Sequence, residues 1–161
     1  MTSHTDHHGR GAALTGRELN RLAVTATAHC LTGCAIGEIL GLVIGTTLGL
    51  SNAWTIALAV VLAFAFGYSF TLVPVLRSGL AFGTALGIAL AADTLSITVM
   101  EIVDNVIMLL IPGAMNAGLD TWLFWASLAV ALAVAFVAAL PVNRALIRRG
   151  KGHAVVHQHH R

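Results

Sequence analysis

Hydrophobic residues along this chain fall into four long blocks separated by short polar stretches. The first runs from Leu22 to about Leu50 and stops at Ser51-Asn52, a pair that reads as a tight turn. The second, 53–76, is apolar apart from Tyr68, Ser69 and Thr71, starts beside Trp54 and closes at Pro74-Val75-Leu76-Arg77-Ser78-Gly79. The third, 80–111, carries Asp93, Glu101 and Asp104, and Pro112-Gly113 then opens a loop that lasts to Asp120. The fourth, 121–145, begins with Trp122 and Trp125 and is otherwise featureless. A bilayer core takes about 20 apolar residues per helix, so every block is long enough to cross one. The third exceeds the hydrocarbon thickness and has to tilt, kink or emerge before Asp104. The predicted fold is all-α, an integral membrane four-helix bundle occupying 22–148.

The flanks read differently. Residues 1–21, with His4, His7 and His8, form a His-rich tail with too little apolar content to bury a core. It ends in a short amphipathic lead-in that Thr15 caps, with Glu18 three residues on as in a capping box. Residues 149–161 form a second His-rich tail holding His153, His157, His159 and His160. Each tail reads either as a low-affinity metal collector or as a solvated tail. The first block follows a polar stretch and is far longer than a signal core, so it is expected to stay as an anchor.

Composition supports the membrane reading. Charged residues make up 10% of the chain and apolar ones 57%, with a mean hydropathy of +0.85; a soluble domain carries about 25% charged residues. Every basic residue lies in the tails, in the middle loop or at the end of the fourth block next to the second tail, and the loops after the first and third blocks have none. The positive-inside rule then puts both termini in the cytoplasm of a bacterial inner membrane. The net charge of +2 forms no basic stripe, so no nucleic-acid partner is expected.

The chemistry concentrates in the first and third blocks. His29, Cys30, Cys34 and Glu38 lie where hydrocarbon-compatible side chains are expected, and an intramembrane charge costs about 2.5 to 3.5 kcal/mol at the bilayer centre. Gly33, Gly37, Gly41 and Gly45 recur every fourth residue, a stripe that lets another helix backbone approach. Cys30, Cys34 and Glu38 form the adjacent stripe, whereas His29 lies off it. On the third block Gly83 and Gly87 form a similar stripe, beside an edge with Asp93, Met100 and Asp104 and near Glu101. If the two glycine stripes pack together, their polar residues make one ladder across the membrane.

Two thiols four residues apart on one helix suit a disulfide poorly and read as free thiols or ligands. Thiolate and thioether select soft ions such as Cu(I), whereas carboxylates favour protons or harder cations. Cys30, Cys34, His29 and Met100 are the candidate metal ligands, and Glu38, Asp93, Glu101 and Asp104 the candidate path or proton-linked groups. The plainer readings are packing for the glycines, inert small hydrophobes for the cysteines, filler for Met100 and an end cap for Asp104.

The pattern His29-Cys30-xx-Gly33-Cys34-xx-Gly37-Glu38, with a later Asp93, Met100-Glu101 and Asp104-Asn105, resembles a group of small bacterial integral membrane proteins known only as a domain of unknown function. The resemblance covers about Leu22 to Arg148 and implies a compact helical membrane domain. It implies no activity and assigns no functional residue.

The function expected from the ligand chemistry is metal handling: binding or transport of a soft transition metal, copper foremost, with a metal chaperone as a possible partner. One alternative is a non-catalytic scaffold or homo-oligomer held by its glycine stripes in the lipid bilayer. Another is haem or quinone redox chemistry at His29, which needs a second ligand from elsewhere. No nucleotide loop, nucleophile elbow or HExxH pattern occurs, so no catalytic residue is assigned and a non-enzymatic role is favoured over an enzymatic one.

Overall fold

Each hydrophobic block folds as one helix in the computed structural model, which describes residues 15–149. The helices are α1 (Gly16–Thr47), α2 (Asn52–Arg77), α3 (Phe82–Leu110) and α4 (Trp122–Arg148), and each is long and apolar enough to cross a membrane. The histidine tails lie outside the described residues, apart from the lead-in. That lead-in is no separate element but the first turns of α1. Thr15 Oγ1 accepts from the Glu18 amide at 3.3 Å, and the Glu18 carboxylate accepts from the Thr15 amide at 2.9 Å. Leu19 is already buried, in a cluster with Ala23, Ala26 and Ile147 of α4.

The first turn falls slightly earlier than Ser51-Asn52. Gly49 takes φ +65°, and the amides of Gly49 and Leu50 close onto the carbonyls of Thr46 and Gly45 at 3.1 and 2.9 Å. That pattern ends a helix with a left-handed residue, which glycine adopts without a Cβ clash. Ser51 then stands as N-cap and Asn52 is already helical. Between α3 and α4 a single 3-10 turn, Ala114–Asn116, folds back over the bundle, and Ala114 packs with Met108, Phe124 and Leu128. Thr121 caps α4 through the Phe124 amide at 3.4 Å.

The helices run alternately up and down as a square bundle, with α1–α2, α2–α3, α3–α4 and α4–α1 as its sides and α1 facing α3 across the diagonal. Its interior is built from small residues and its exterior from large ones. Ala63, Ala85, Ala89, Ala131, Ala135 and Ala139 have no exposed surface, while Val61, Ile102, Leu109 and Val137 are more than half exposed. A water-soluble bundle has the opposite distribution; in lipid, where burying apolar groups brings no hydrophobic gain, close packing of small residues holds helices together. The tryptophans Trp54, Trp122 and Trp125 are exposed at the end holding the α1–α2 and α3–α4 loops, and Arg17, Arg21, Arg77, Arg144, Arg148 and Arg149 are exposed towards the other end.

The glycine stripe of α1 packs on α2, not on α3. A Cβ at Gly33 would lie 2.9 Å from the Gly67 Cα, one at Gly37 would strike the Leu62–Ala63 backbone, one at Gly41 would strike Ala59, and one at Gly45 would come within 2.6 Å of the Thr55 side chain. The α2 face that receives the stripe has its own four-residue repeat, Thr55, Ala59, Ala63, Gly67, Thr71 and Val75, all buried. Alternation of direction makes α1 and α2 neighbours, and this second small face accepts the first. Gly83 and Gly87 meet nothing within 4 Å, so the α3 stripe looks outward.

Gly37→Ala and Gly41→Ala are therefore expected to destabilise the protein by about 1–3 kcal/mol, the usual cost of overpacking. Gly83→Ala, with open space around it, is expected to be neutral or to gain up to about 1 kcal/mol from helix propensity. Unfolding midpoints of the three variants in one detergent provide the comparison.

Candidate functional site

The stripe beside the α1 glycines is Cys30, Cys34 and Glu38, and with the glycines committed to α2 it turns towards the bundle axis. All three are buried, at 3%, 1% and 4% exposure. Across the diagonal α3 presents Asp93, Ser96, Met100, Glu101 and Asp104, all likewise buried. α1 and α3 run in the same direction, so the two sets climb together: Cys30 lies beside Ser96, Cys34 beside Glu101, and Glu38 beside Asp104. The packing of one glycine stripe on the other, from which the sequence reading expects a ladder, does not occur; the polar residues of the first and third helices come side by side without it.

Neighbouring helices close the walls. Cys30 and Cys34 belong to an apolar cluster with Met100 and Ile97 of α3, Ala63 of α2, and Ala135 and Ala139 of α4. A Cβ on Gly67 would lie 3.8 Å from the Cys34 sulfur and collide with the Ile97 side chain, so Gly67 serves both the α1–α2 seam and the thiol's surroundings. Both cysteines are free thiols. Among the described residues, no group of three His, Cys, Asp or Glu side chains converges to hold a metal ion.

Two features make the ladder unusual. Several of its buried oxygens meet only a thiol or another carboxyl: Ser96 faces the Cys30 thiol, Glu101 the Cys34 thiol and Asp104 the Glu38 carboxyl. A thiol is a weak donor and a second carboxyl needs a shared proton, so these groups are poorly satisfied, and leaving a buried polar group unsatisfied costs about 1–3 kcal/mol. The other feature is charge. Glu38, Glu101 and Asp104 are packed as neighbours, while the described arginines are all exposed. Protons or a cation must balance those carboxyls, because an uncompensated charge in a low-dielectric interior is costly.

His29 stands apart. Its Nε2 lies 3.1 Å from the carbonyl oxygen of Phe70, and its ring meets the Phe70 ring edge-on with centroids 5.2 Å apart. It is thus turned to α2, and the thiols are grouped with α3 instead.

The sequence reading passed over Ser96, Ser127, Thr27 and Asn143. All four are buried, and Asn143 Nδ2 donates to Thr27 Oγ1 at 2.9 Å, tying α4 to α1. The signal was there: Ser127, Ala131, Ala135, Ala139 and Asn143 repeat every fourth residue, so the block read as featureless has a defined inner face.

The family comparison matches residues 20–152 to a domain of unknown function, DUF4396. The chain belongs to that family. The match takes in the whole ladder and nearly all of the four helices, in keeping with an uncharacterised family. No curated protein and no solved structure matches the chain, so the chemistry of the DUF4396 site is read from its own residues.

Asp104→Asn is expected to keep the fold and raise stability by about 1–2 kcal/mol, because it removes one of two facing buried carboxyls and leaves an amide that can donate to Glu38 without a shared proton. Thermal unfolding of the variant and the parent at neutral pH in one detergent measures the difference.

Proposed function

We propose that this DUF4396 protein handles a cation within the membrane, binding or moving a soft transition metal, copper foremost, along the ladder from Cys30 to Asp104. The observation that carries the reading is the meeting of two free thiols and four carboxyls, Glu38, Asp93, Glu101 and Asp104, inside the bundle, away from every described arginine. Such a set attracts positive charge, and the thiols together with the Met100 thioether favour a soft ion over a hard one. The donors are spread over successive helical turns. A resident structural metal takes its ligands from one closed, preorganised shell, so a spread ladder suits a cargo passed from donor to donor. Cys30, Cys34 and Met100 would hold the metal at mid-bundle, and Glu38, Asp93, Glu101 and Asp104 would balance its charge or exchange protons for it. His29, held on Phe70, would support the packing of α1 on α2.

The basic end and the tryptophan-bearing end support a bacterial inner-membrane orientation with both termini in the cytoplasm. A cytoplasmic metal chaperone would then meet the arginine-rich end. Purified protein is expected to bind Cu(I) in competition with a chromogenic chelator, and Cys30→Ser with Cys34→Ser to lose at least about tenfold in affinity, corresponding to about 1.4 kcal/mol. Equal Cu(I), Zn(II) and Hg(II) binding by parent and double variant would overturn the metal reading.

The exposed Gly83 and Gly87 favour a second reading, self-association through α3. The α1 glycines are already engaged by α2, so any oligomer would use α3, and Gly87→Leu would disperse it in a detergent-phase crosslinking assay while leaving the monomer folded.

A further inference from the structure

The ladder's upper end, Glu38 and Asp104, stops about one helical turn below a cavity at the loop end of the bundle. The cavity measures about 320 Å³. A water molecule occupies about 30 Å³ of liquid, so a cation with its first waters fits. Its floor includes Leu42 and Met108. Leu42 follows Glu38 by four residues and Met108 follows Asp104 by four, so each stands on the same helix face one turn nearer the loops. The upper wall is polar: Thr46, Asn52 and Asn116 line it, and Asn52 Nδ2 donates to Asn116 Oδ1 at 3.4 Å, linking the two loops across the rim. Met115 adds a second thioether to that of Met108. Crevices beside Pro141 of α4 touch none of the ladder residues.

We infer that this cavity is the port through which a soft cation reaches the buried carboxyls, with Leu42 and Met108 forming the plug between port and ladder. The inference rests on the cation-handling reading and adds a place and a chemical class to it. Polar rim groups replace part of the water shell, the thioethers of Met115 and Met108 prefer a soft ion such as Cu(I) or Ag(I), and the carboxyls one turn below supply the attraction. Met108 is 3% exposed and packs with Ala114 and Phe124, while Leu42 packs against the same cluster. Passage therefore requires these two flexible side chains to turn aside.

The test uses the full chain in liposomes with Cys30→Ser and Cys34→Ser as background, single cysteines introduced by substitution, and a membrane-impermeant cationic methanethiosulfonate as the probe. Leu109→Cys is the lipid-facing control, since Leu109 is 63% exposed on the outer surface. Met108→Cys is expected to react at least about tenfold faster than that control, and its preference for the cationic over the anionic reagent to fall several-fold when Asp104→Asn is added. Met115→Cys is the second position, with the same expectation, should Met108→Cys fail to fold. In the chain with its natural cysteines, Leu42→Ala is expected to speed modification of Cys34 about tenfold by removing half of the plug. Reaction at Met108→Cys and Met115→Cys no faster than at Leu109→Cys would overturn the port, as would charge selectivity that ignores Asp104→Asn. An unchanged Cys34 rate in Leu42→Ala would overturn the plug. None of these readouts depends on metal binding, so a port that labels as expected in a protein that binds no copper would refute the metal and leave the port standing.

Discussion

The contact between the α1 glycines and α2 governs the rest of the molecule. Four glycines spaced one turn apart bring one backbone against another, and at Gly37 and Gly41 even a methyl group would strike the facing helix. In lipid, where helices gain nothing by hiding apolar surface from each other, such close van der Waals contact is a principal source of association. It also fixes how α1 is rotated about its own axis. Once Gly33, Gly37, Gly41 and Gly45 face α2, the stripe one step round must face the interior, and that stripe is Cys30, Cys34 and Glu38.

The opposing half of the site follows from parallel direction. α1 and α3 both run from the arginine-rich end to the loop end, so residues advancing along one stay level with residues advancing along the other. Thiol meets hydroxyl at one level, thiol meets carboxyl at the next, and carboxyl meets carboxyl at the third. The carboxyls Glu38, Glu101 and Asp104 gather towards the loop end, where the cavity and the polar loop residues lie. The arrangement sacrifices stability, since poorly satisfied buried oxygens and neighbouring carboxyls oppose folding. Close packing at the α1–α2 seam and the Asn143–Thr27 bond between α4 and α1 offset that cost. A strained polar group held by a rigid scaffold is the usual relation between a binding site and the fold that carries it.

Much of this was legible in the chain. Block lengths, turn residues and the Thr15–Glu18 pair gave four helices and the cap of the first, because hydrophobic run length and capping chemistry are local properties. Angular position on a helix is local as well, so the separation of His29 from Cys30, Cys34 and Glu38 could be read from spacing alone. The partner of each stripe could not. Gly83 and Gly87 repeat like the α1 glycines yet face outward, and the receiving face on α2 is an alanine, threonine and glycine repeat that looks unremarkable inside an apolar run.

By itself the sequence determined a four-helix membrane protein with an ionisable ladder divided between its first and third helices. Only the tertiary structure decided which small face meets which, that the ladder joins across the diagonal of the bundle, and that a cavity ends one turn short of it. The physical reason is that periodicity specifies what lies on a face, whereas pairing depends on steric fit between two faces at once. A Cβ that clashes at Gly37 and meets nothing at Gly83 marks that difference.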